Sequence, residues 1–159
     1  MSVTIRRAEK EDARAVAELA FNLVVQHQDY DRIRFSRLAD VDGMASYYGS
    51  QTGAEDAAVI VAELDSRIVG FAFVQFEEKN FADLLKSAAW LHDIYIDESA
   101  RGRDIGKQLI EASAEVAKDL GADKLMLSVA ARNELGRRFF DRMGFRETMV
   151  EMMLTIDQK

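Results

Sequence analysis

The spacing of apolar positions changes several times along the chain, and each change marks an element. Residues 3–8 (VTIRRA) alternate as a first strand does. The acidic run at 9–12 suits a helix N-terminus. Val16, Leu19, Ala20, Leu23 and Val24 then recur at i, i+3, i+4, i+7 and i+8, one face of an amphipathic helix. Residues 29–37 read as a loop, about 38–48 as a shorter helix, and 49–56 as a turn-rich stretch. Two β-rich runs, 57–64 and 68–76, flank Asp65-Ser66-Arg67 and predict a hairpin. A polar connection at 77–87 leads to a fourth strand at 88–97, where Leu91, Ile94 and Ile96 are spaced by three and then two. A bulge produces such a phase slip. A helix over about 104–120 buries Ile105, Leu109, Ala112, Val116 and Leu120 and stops at Gly121. A strand at 124–130, a helix from Asn133 to about Met143 and a last strand at 145–156 complete the order βααβββαβαβ. That order predicts a single α/β domain over residues 1–159, with a mixed sheet flanked by helices.

Composition narrows the chemistry. A chain of 159 residues suits one domain, and 48% hydrophobic with 31% charged residues is ordinary for a globular protein. Cysteine is absent and only His27 and His92 are present, which excludes disulfides and thiolate sites and disfavours a multi-histidine metal site. No apolar run approaches the roughly 20 residues that span a bilayer, and the first residues lack the apolar core of a signal peptide. A soluble, cytoplasmic protein is expected. Without proline, turns must rely on Gly, Asp, Asn and Ser.

The net charge of −7 argues against a broad nucleic-acid surface. Its distribution is uneven: residues 101–146 hold 10 Lys+Arg against 7 Asp+Glu, the remainder 11 against 21. The basic segment suits an anionic ligand and the acidic remainder a cationic one, unless both are simply solvated faces.

The basic segment begins in the most informative stretch, residues 94–107 (IYIDESARGRDIGK). A strand runs into a basic turn that opens a helix. The first N–H groups of a helix lack intrahelical partners and, with the helix dipole, form a site for phosphate. Gly102 and Gly106 allow close backbone approach, and Arg101, Arg103 and Lys107 add positive charge. A P-loop does not fit, since the spacing is one residue short and Gln108 replaces the Ser/Thr. No dinucleotide fingerprint follows a strand.

The turn Arg101-Gly102-Arg103-Asp104-Ile105-Gly106 resembles the acetyl-CoA pyrophosphate loop of the GCN5-related N-acetyltransferases (GNAT), usually R/Q-x-x-G-x-G/A. The stretch from Asn133 to Phe145 (NELGRRFFDRMGF) resembles that family's "N…A..FY…GF" segment, 27 residues downstream. The strand LHDIYI is similar to that of the polyamine acetyltransferases within the family. The resemblance implies a fold in which the fourth and fifth strands splay apart and acetyl-CoA lies in the gap. It also implies site residues. Backbone groups of Ile94, Tyr95 and Ile96 would contact the pantetheine and thioester, and Arg101 and Gly102 through Arg103, Asp104, Ile105, Gly106 and Lys107 would cradle the pyrophosphate. Asn133 would bind near the pantetheine, Phe139 and Phe140 would line the thiol end, and Arg142 would reach the phosphates.

Two positions depart from the family pattern. Asp104 stands where Gly is usual; its side chain is a candidate helix cap, while its charge opposes a phosphate, and coenzyme binding is expected to survive. Phe140 replaces a tyrosine that protonates the departing thiolate in many members, so that role is vacant or moved, with Tyr95 a possible substitute.

The implied reaction is acetyl transfer from acetyl-CoA to a primary amine, without a metal. His92, beside the expected thioester, is the first candidate base because an imidazole titrates near neutrality. Asp93 is the second, as a group that orients water or the substrate cation. Glu77, Glu78 and Asp83 suit a cationic acceptor; Arg32, Arg34 and Arg37 suit a carboxylate or phosphate. Tyr47 and Tyr48 are expected to pack in the helix core rather than on a cation. Met149, Met152 and Met153 point to core or a homodimer interface. A small-molecule amine acetyltransferase leads, ahead of a protein N-terminal or lysine acetyltransferase and an acyl-CoA-binding regulatory module that has lost chemistry.

Overall fold

The computed structural model describes residues 2–36 and 40–157. Its sheet has five strands in sequential order: β1 (Val3–Arg7), β2 (Ala57–Leu64), β3 (Arg67–Glu77), β4 (Ala88–Ile96) and β5 (Leu125–Met126). The first four are antiparallel neighbours, and β5 joins β4 in parallel. Four helices flank them: α1 (Ala13–Tyr30), α2 (Val41–Gln51), α3 (Ile105–Asp119) and α4 (Glu134–Arg142).

Period-two alternation in β2 and β3, shifted once where a bulge passes over Val69, builds two cores. Val59, Val61, Phe71 and Phe73 point to the face covered by α1 and α2, where Val16, Leu19 and Tyr48 meet them. Ile60, Ala62, Val69 and Val74 point to the other face, onto Ile105, Leu109 and Val116 of α3. The α4 residues Phe139 and Phe140 join this second core from its margin. No helix among the described residues is long and apolar enough to cross a membrane.

The β2–β3 turn is tighter than the three-residue loop read from the sequence. Leu64 pairs with Arg67, so only Asp65 and Ser66 turn the chain, both left-handed, at φ 51° and 61°. This is the twist that two-residue hairpins favour. The first helix runs two residues further than expected, to Tyr30, because His27 stacks edge-on against Tyr30 and Phe35 and its backbone carbonyl accepts the Asp31 N–H. The second absorbs Gly49–Gln51, and Asp40 caps its start by accepting the Gly43 N–H; the beginning expected for it, at 38–39, lies outside the described residues.

Two strand expectations need correction. The strand expected at 124–130 is reduced to Leu125–Met126, because β4 departs after Trp90 and residues beyond have no ladder to join. The last strand, expected at 145–156, does not form. The chain leaves α4 through Gly144 at φ 96°, Phe145 donates its N–H to the Phe140 carbonyl, and residues 146–157 then form neither helix nor strand. Met149, Met152 and Met153 are exposed rather than part of this chain's core.

A serine in the left-handed region carries a cost of order 1 kcal/mol that glycine escapes, partly offset by glycine's greater unfolded-state entropy. Ser66→Gly should therefore raise the melting temperature by about 1–2 °C, and Ser66→Val, whose branched side chain resists that region, should lower it by at least as much. Calorimetry on the two variants checks this; equal melting temperatures would contradict the turn assignment.

A cleft where the fourth and fifth strands part

The ladder between β3 and β4 slips by one residue at the point the apolar spacing marked. Leu91 pairs with Val74 and Asp93 with Phe73, and His92 between them is passed over. It is the extra residue of a β-bulge, a feature that re-aims side chains. Before the bulge Leu91 faces the α3 core; after it Ile94 and Ile96 face that core, while Tyr95 packs towards α1.

His92 itself is half-exposed. Its Nε2 lies 2.7 Å from Glu77 Oε1, at the end of β3, and its ring stacks on Trp90 with centroids 6.3 Å apart. An ionised carboxylate only accepts, so Nε2 carries the proton and Nδ1 keeps a free lone pair. The sequence reading assigned Glu77 to substrate attraction; the structure places it against the candidate base.

Asp93 is partly buried and accepts a hydrogen bond of 2.8 Å from the Tyr48 hydroxyl of α2. Burial raises its carboxyl above the usual range, against the lowering effect of that bond, and burial beside Asp93 likewise raises the Tyr48 phenol. Tyr48 packs on Phe71 and Phe73, as expected of a core residue. Its bond to Asp93 had no signal in the sequence, because 45 residues separate the partners.

Only Ala89–Leu125 and Trp90–Met126 pair between β4 and β5. Beyond them the strands part around a cleft of about 80 Å³, walled by Leu91, His92 and Ile94 on one side and Leu127, Ser128 and Val129 on the other. Leu23, Gln26 and His27 of α1 and the pair Asn133 and Phe140 close it. His27 is a lining residue that pattern reading missed. Its Nδ1 is 2.9 Å from the Leu23 carbonyl, so Nδ1 is the donor and Nε2 is left free. Asp93 does not line this cleft. Nor does Tyr95, which is buried on the other face with the Arg101 guanidinium 5.7 Å above its ring, beside a larger open hollow of about 430 Å³.

The turn after β4 is built by short-range bonds. Asp97 accepts from the N–H and hydroxyl of Ser99, which hold its carboxyl below the usual range. Arg101 Nε donates to the Ile96 carbonyl at 3.2 Å. Gly102 and Asp104 are both left-handed, at φ 80° and 57°. The first bond of α3 runs from the Gln108 N–H to the Asp104 carbonyl, so the N–H groups of Ile105, Gly106 and Lys107 have no protein partner among the described residues. The Asp104 side chain makes no cap, and its backbone sits in the left-handed region that glycine takes most freely. Arg103 and Lys107 are exposed, Lys107 reaching Glu111 at 3.8 Å. Gly106 serves packing: a Cβ there would lie 3.0 Å from Phe139 Cζ. On α4, Asn133 caps the helix by accepting the Gly136 N–H at 2.9 Å, Phe139 sits in the core, and Arg142 is exposed in the last turn, outside the cleft lining.

The model of the acetyltransferase (GNAT) family matches residues 13–145. The chain belongs to that family. It is an N-acetyltransferase by descent and by fold. An uncharacterized N-acetyltransferase of Bacillus subtilis (strain 168), YhfO, is 25% identical over 145 residues, 91% of each chain. Among solved structures, a tetramutant of the BH1408 protein from Bacillus halodurans superposes with a TM-score of 0.83 at 23% identity, over 96% of this chain and 99% of that one. The aminoglycoside N-acetyltransferase AAC(6')-Iy in complex with CoA superposes at 0.80 with 19% identity, over 98% and 95%. These last two likenesses establish the fold of this GNAT chain.

A carboxyl raised in the folded protein costs stability once ionised and nothing when protonated in both states. Asp93→Asn keeps an acceptor for Tyr48 and removes that cost. The variant should be more stable than the parent at pH 7, the gain fading as pH falls through the folded-state value of Asp93 towards about 4. Thermal melts across that range read the sign directly; a gain that persists unchanged at low pH would show that the charge is not its source.

Proposed function

We propose that the chain acts over residues 1–159 as one domain that transfers the acetyl group of acetyl-CoA to a primary amine of a small molecule, by direct attack in a ternary complex. The observation that carries this reading is the bulge: it sets His92, braced by Glu77, on the wall of the only gap between neighbouring strands among the described residues. The CoA complex of a solved protein with the same fold supports the coenzyme.

The residues fit that coenzyme. The unpartnered N–H groups of Ile105, Gly106 and Lys107, with Arg101, Arg103 and Lys107 nearby, suit a diphosphate. The backbone of Ile94, Tyr95 and Ile96 past the last β4–β5 pair suits a pantetheine arm, and Phe140 at the cleft suits its thiol end. Asn133 lies on the cleft wall; Arg142 and Phe139 stand further off, the one exposed and the other packed against Gly106.

Acetyl-CoA supplies a thioester whose acyl carbon the amine attacks as the thiol leaves. An ammonium has no lone pair, so the acceptor must first give up a proton. Nδ1 of His92 takes it, and Glu77 steadies the imidazolium that results. The Ile94 N–H is a donor for the developing oxyanion. With Asp93 bonded to Tyr48 and outside the cleft lining, His92 is the better base and Asp93 a positioning residue.

Acceptor recognition has fewer free groups than the sequence suggested. Glu77 is engaged by His92, Asp83 by Asn80 and Arg34 by Glu151; Arg37 lies outside the described residues. A homodimer forms part of this reading. Phe140, which cannot donate a proton where it lines the cleft, favours a second reading, an acyl-CoA-binding regulatory module with little turnover.

His92→Ala should lower kcat/KM by about 10²-fold or more, the scale of general-base catalysis, while Phe140→Tyr alters it less. Thiol release from acetyl-CoA across a panel of amines, followed from about pH 6 to 9, tests this. Equal profiles for His92→Ala and the parent would remove His92 as base, and coenzyme binding without release for any amine or peptide would favour the regulatory module. Asp104→Gly removes a carboxylate from the helix N-terminus and should tighten CoA binding about two- to fivefold by calorimetry; weaker binding would place the diphosphate elsewhere.

A further inference from the structure

The cleft between β4 and β5 is lined by two imidazoles, and the proton balance of amine acylation calls for both. Turning a primary ammonium and a thioester into an amide and a thiol strips two protons from the nitrogen. The first leaves before attack, to free the lone pair. The second leaves after the C–N bond forms, because the amide nitrogen keeps a single hydrogen. One of the two ends on the sulfur and the other in solvent. His92 Nδ1 holds one proton at a time, since Nε2 is committed to Glu77 at 2.7 Å. The second proton therefore needs its own acceptor, and the sulfur its own donor.

His27 is placed to be both. It lies on α1 and lines the same cleft as His92. Its ring is held edge-on to Tyr30 and Phe35, at centroid distances of 5.7 and 4.9 Å. Nδ1 is turned back onto its own helix, 2.9 Å from the Leu23 carbonyl, so Nε2 is the nitrogen left for the cleft, and in the neutral ring it carries a lone pair. The opening is only about 80 Å³, room for a few heavy atoms, so a group lodged in it meets both strand walls and α1 at once. The other polar groups of the lining, Gln26, Ser128 and Asn133, are amides and a hydroxyl that take up no proton near neutrality, and Asn133 already accepts from the Gly136 N–H. Phe140 has no proton to give. Asp93 ties the two rings to one neighbourhood: burial raises its carboxyl, while Tyr48, His92 and His27 each pull it down. His27 thus faces Asp93 and His92 from β4 and Tyr30 from its own helix, and Arg132 reaches the end of that helix at the Tyr30 carbonyl.

We infer, resting on the acetyl-transfer reading, that His27 carries the second proton from nitrogen to sulfur. As the C–N bond forms, the thioester C=O pair moves onto oxygen. His27 Nε2 then accepts the surplus proton of the nitrogen. When that oxygen pair re-forms C=O, the C–S bond breaks, its electrons leave on sulfur, and the His27 imidazolium gives the sulfur its proton. Nitrogen and sulfur are bonded to one carbon at that moment, so a single ring serves both. His92 keeps the first proton until it passes to solvent, to which its ring is half open. The products are an amide, a thiol and one released proton, and His27 ends as it began.

His27→Asn is the discriminating change, because the new amide stands where Nδ1 stood and still donates to the Leu23 carbonyl, while nothing replaces Nε2. Two small amines separate the imidazoles: ethylamine is an ammonium near neutral pH, and trifluoroethylamine is already neutral. Thiol release, read against the parent on the same amine, should fall in kcat/KM by about 10-fold or more for His27→Asn on both. His92→Ala should lose at least as much on ethylamine and regain most of it on trifluoroethylamine, which needs no first base. Product binding gives a readout that requires no acceptor. In the complex of the parent with CoA, the thiol followed by its thiolate absorbance should titrate at least about 1 pH unit below that of free CoA, and this displacement should vanish in His27→Asn and persist in His92→Ala. Should His27→Asn not fold, or the parent release no thiol with either amine, the parent's bound thiol still decides, and titration at the free value overturns the relay. A His27→Asn variant that loses nothing on either amine, or that recovers on trifluoroethylamine, also overturns it. Calorimetry separates the two failures: CoA that does not bind removes acetyl transfer and the relay together, whereas CoA that binds with an unshifted thiol removes the relay alone.

Discussion

Two residue pairs hold β4 to β5, and past them the backbones of both strands face a gap instead of each other. A parallel pair normally continues until a turn ends it. Here the bulge at His92 follows two residues after the last pair, and a bulge both bends its strand and increases the local twist. The strand therefore leaves its neighbour at the position where its side chains also change face. One extra residue thus coincides with the opening of the sheet, where peptide groups lose their strand partner, and turns an imidazole into the gap. Had His92 been paired as an ordinary strand residue instead of bulging, Asp93 and Tyr95 would face α3, and the alternation that seats Ile94 and Ile96 in that core would be lost.

The turn that follows shows a cost accepted at the same end of the sheet. Two left-handed residues, Gly102 and Asp104, aim the N–H groups of α3 outward. Glycine takes that geometry freely; aspartate takes it better than most L-residues but leaves a carboxylate beside a site suited to anions. Arg101, Arg103 and Lys107 outnumber that one negative charge, so the local field stays favourable to a diphosphate.

Elements with strong local signals were legible from the chain alone. The hairpin, the phase slip in β4, the turn 101–106 and α3 are each encoded within a dozen residues, by alternation, spacing, glycine placement or an apolar stripe. What escaped depends on partners remote in sequence. Tyr48–Asp93 and His92–Glu77 join different elements, and His27 reaches the cleft only because α1 crosses the sheet there. Residues 145–156 were read as a last strand and form none, since alternation reports a preference for extended backbone and says nothing of whether an edge is within reach.

The leaving group sets the balance of acid and base that the proposed transfer needs. A thiol with a pKa of about 8.5 departs as thiolate near neutrality with little help, whereas an alkylammonium near 10 must surrender a proton before it attacks. The demand for a base is thus much greater than the demand for an acid. The proposed roles match that asymmetry: an imidazole paired with a carboxylate lines one wall, and a phenyl ring, Phe140, stands where a phenol would serve only the smaller need. Phe140 also packs on Phe145, so the same side chain ties α4 to the residues that follow it.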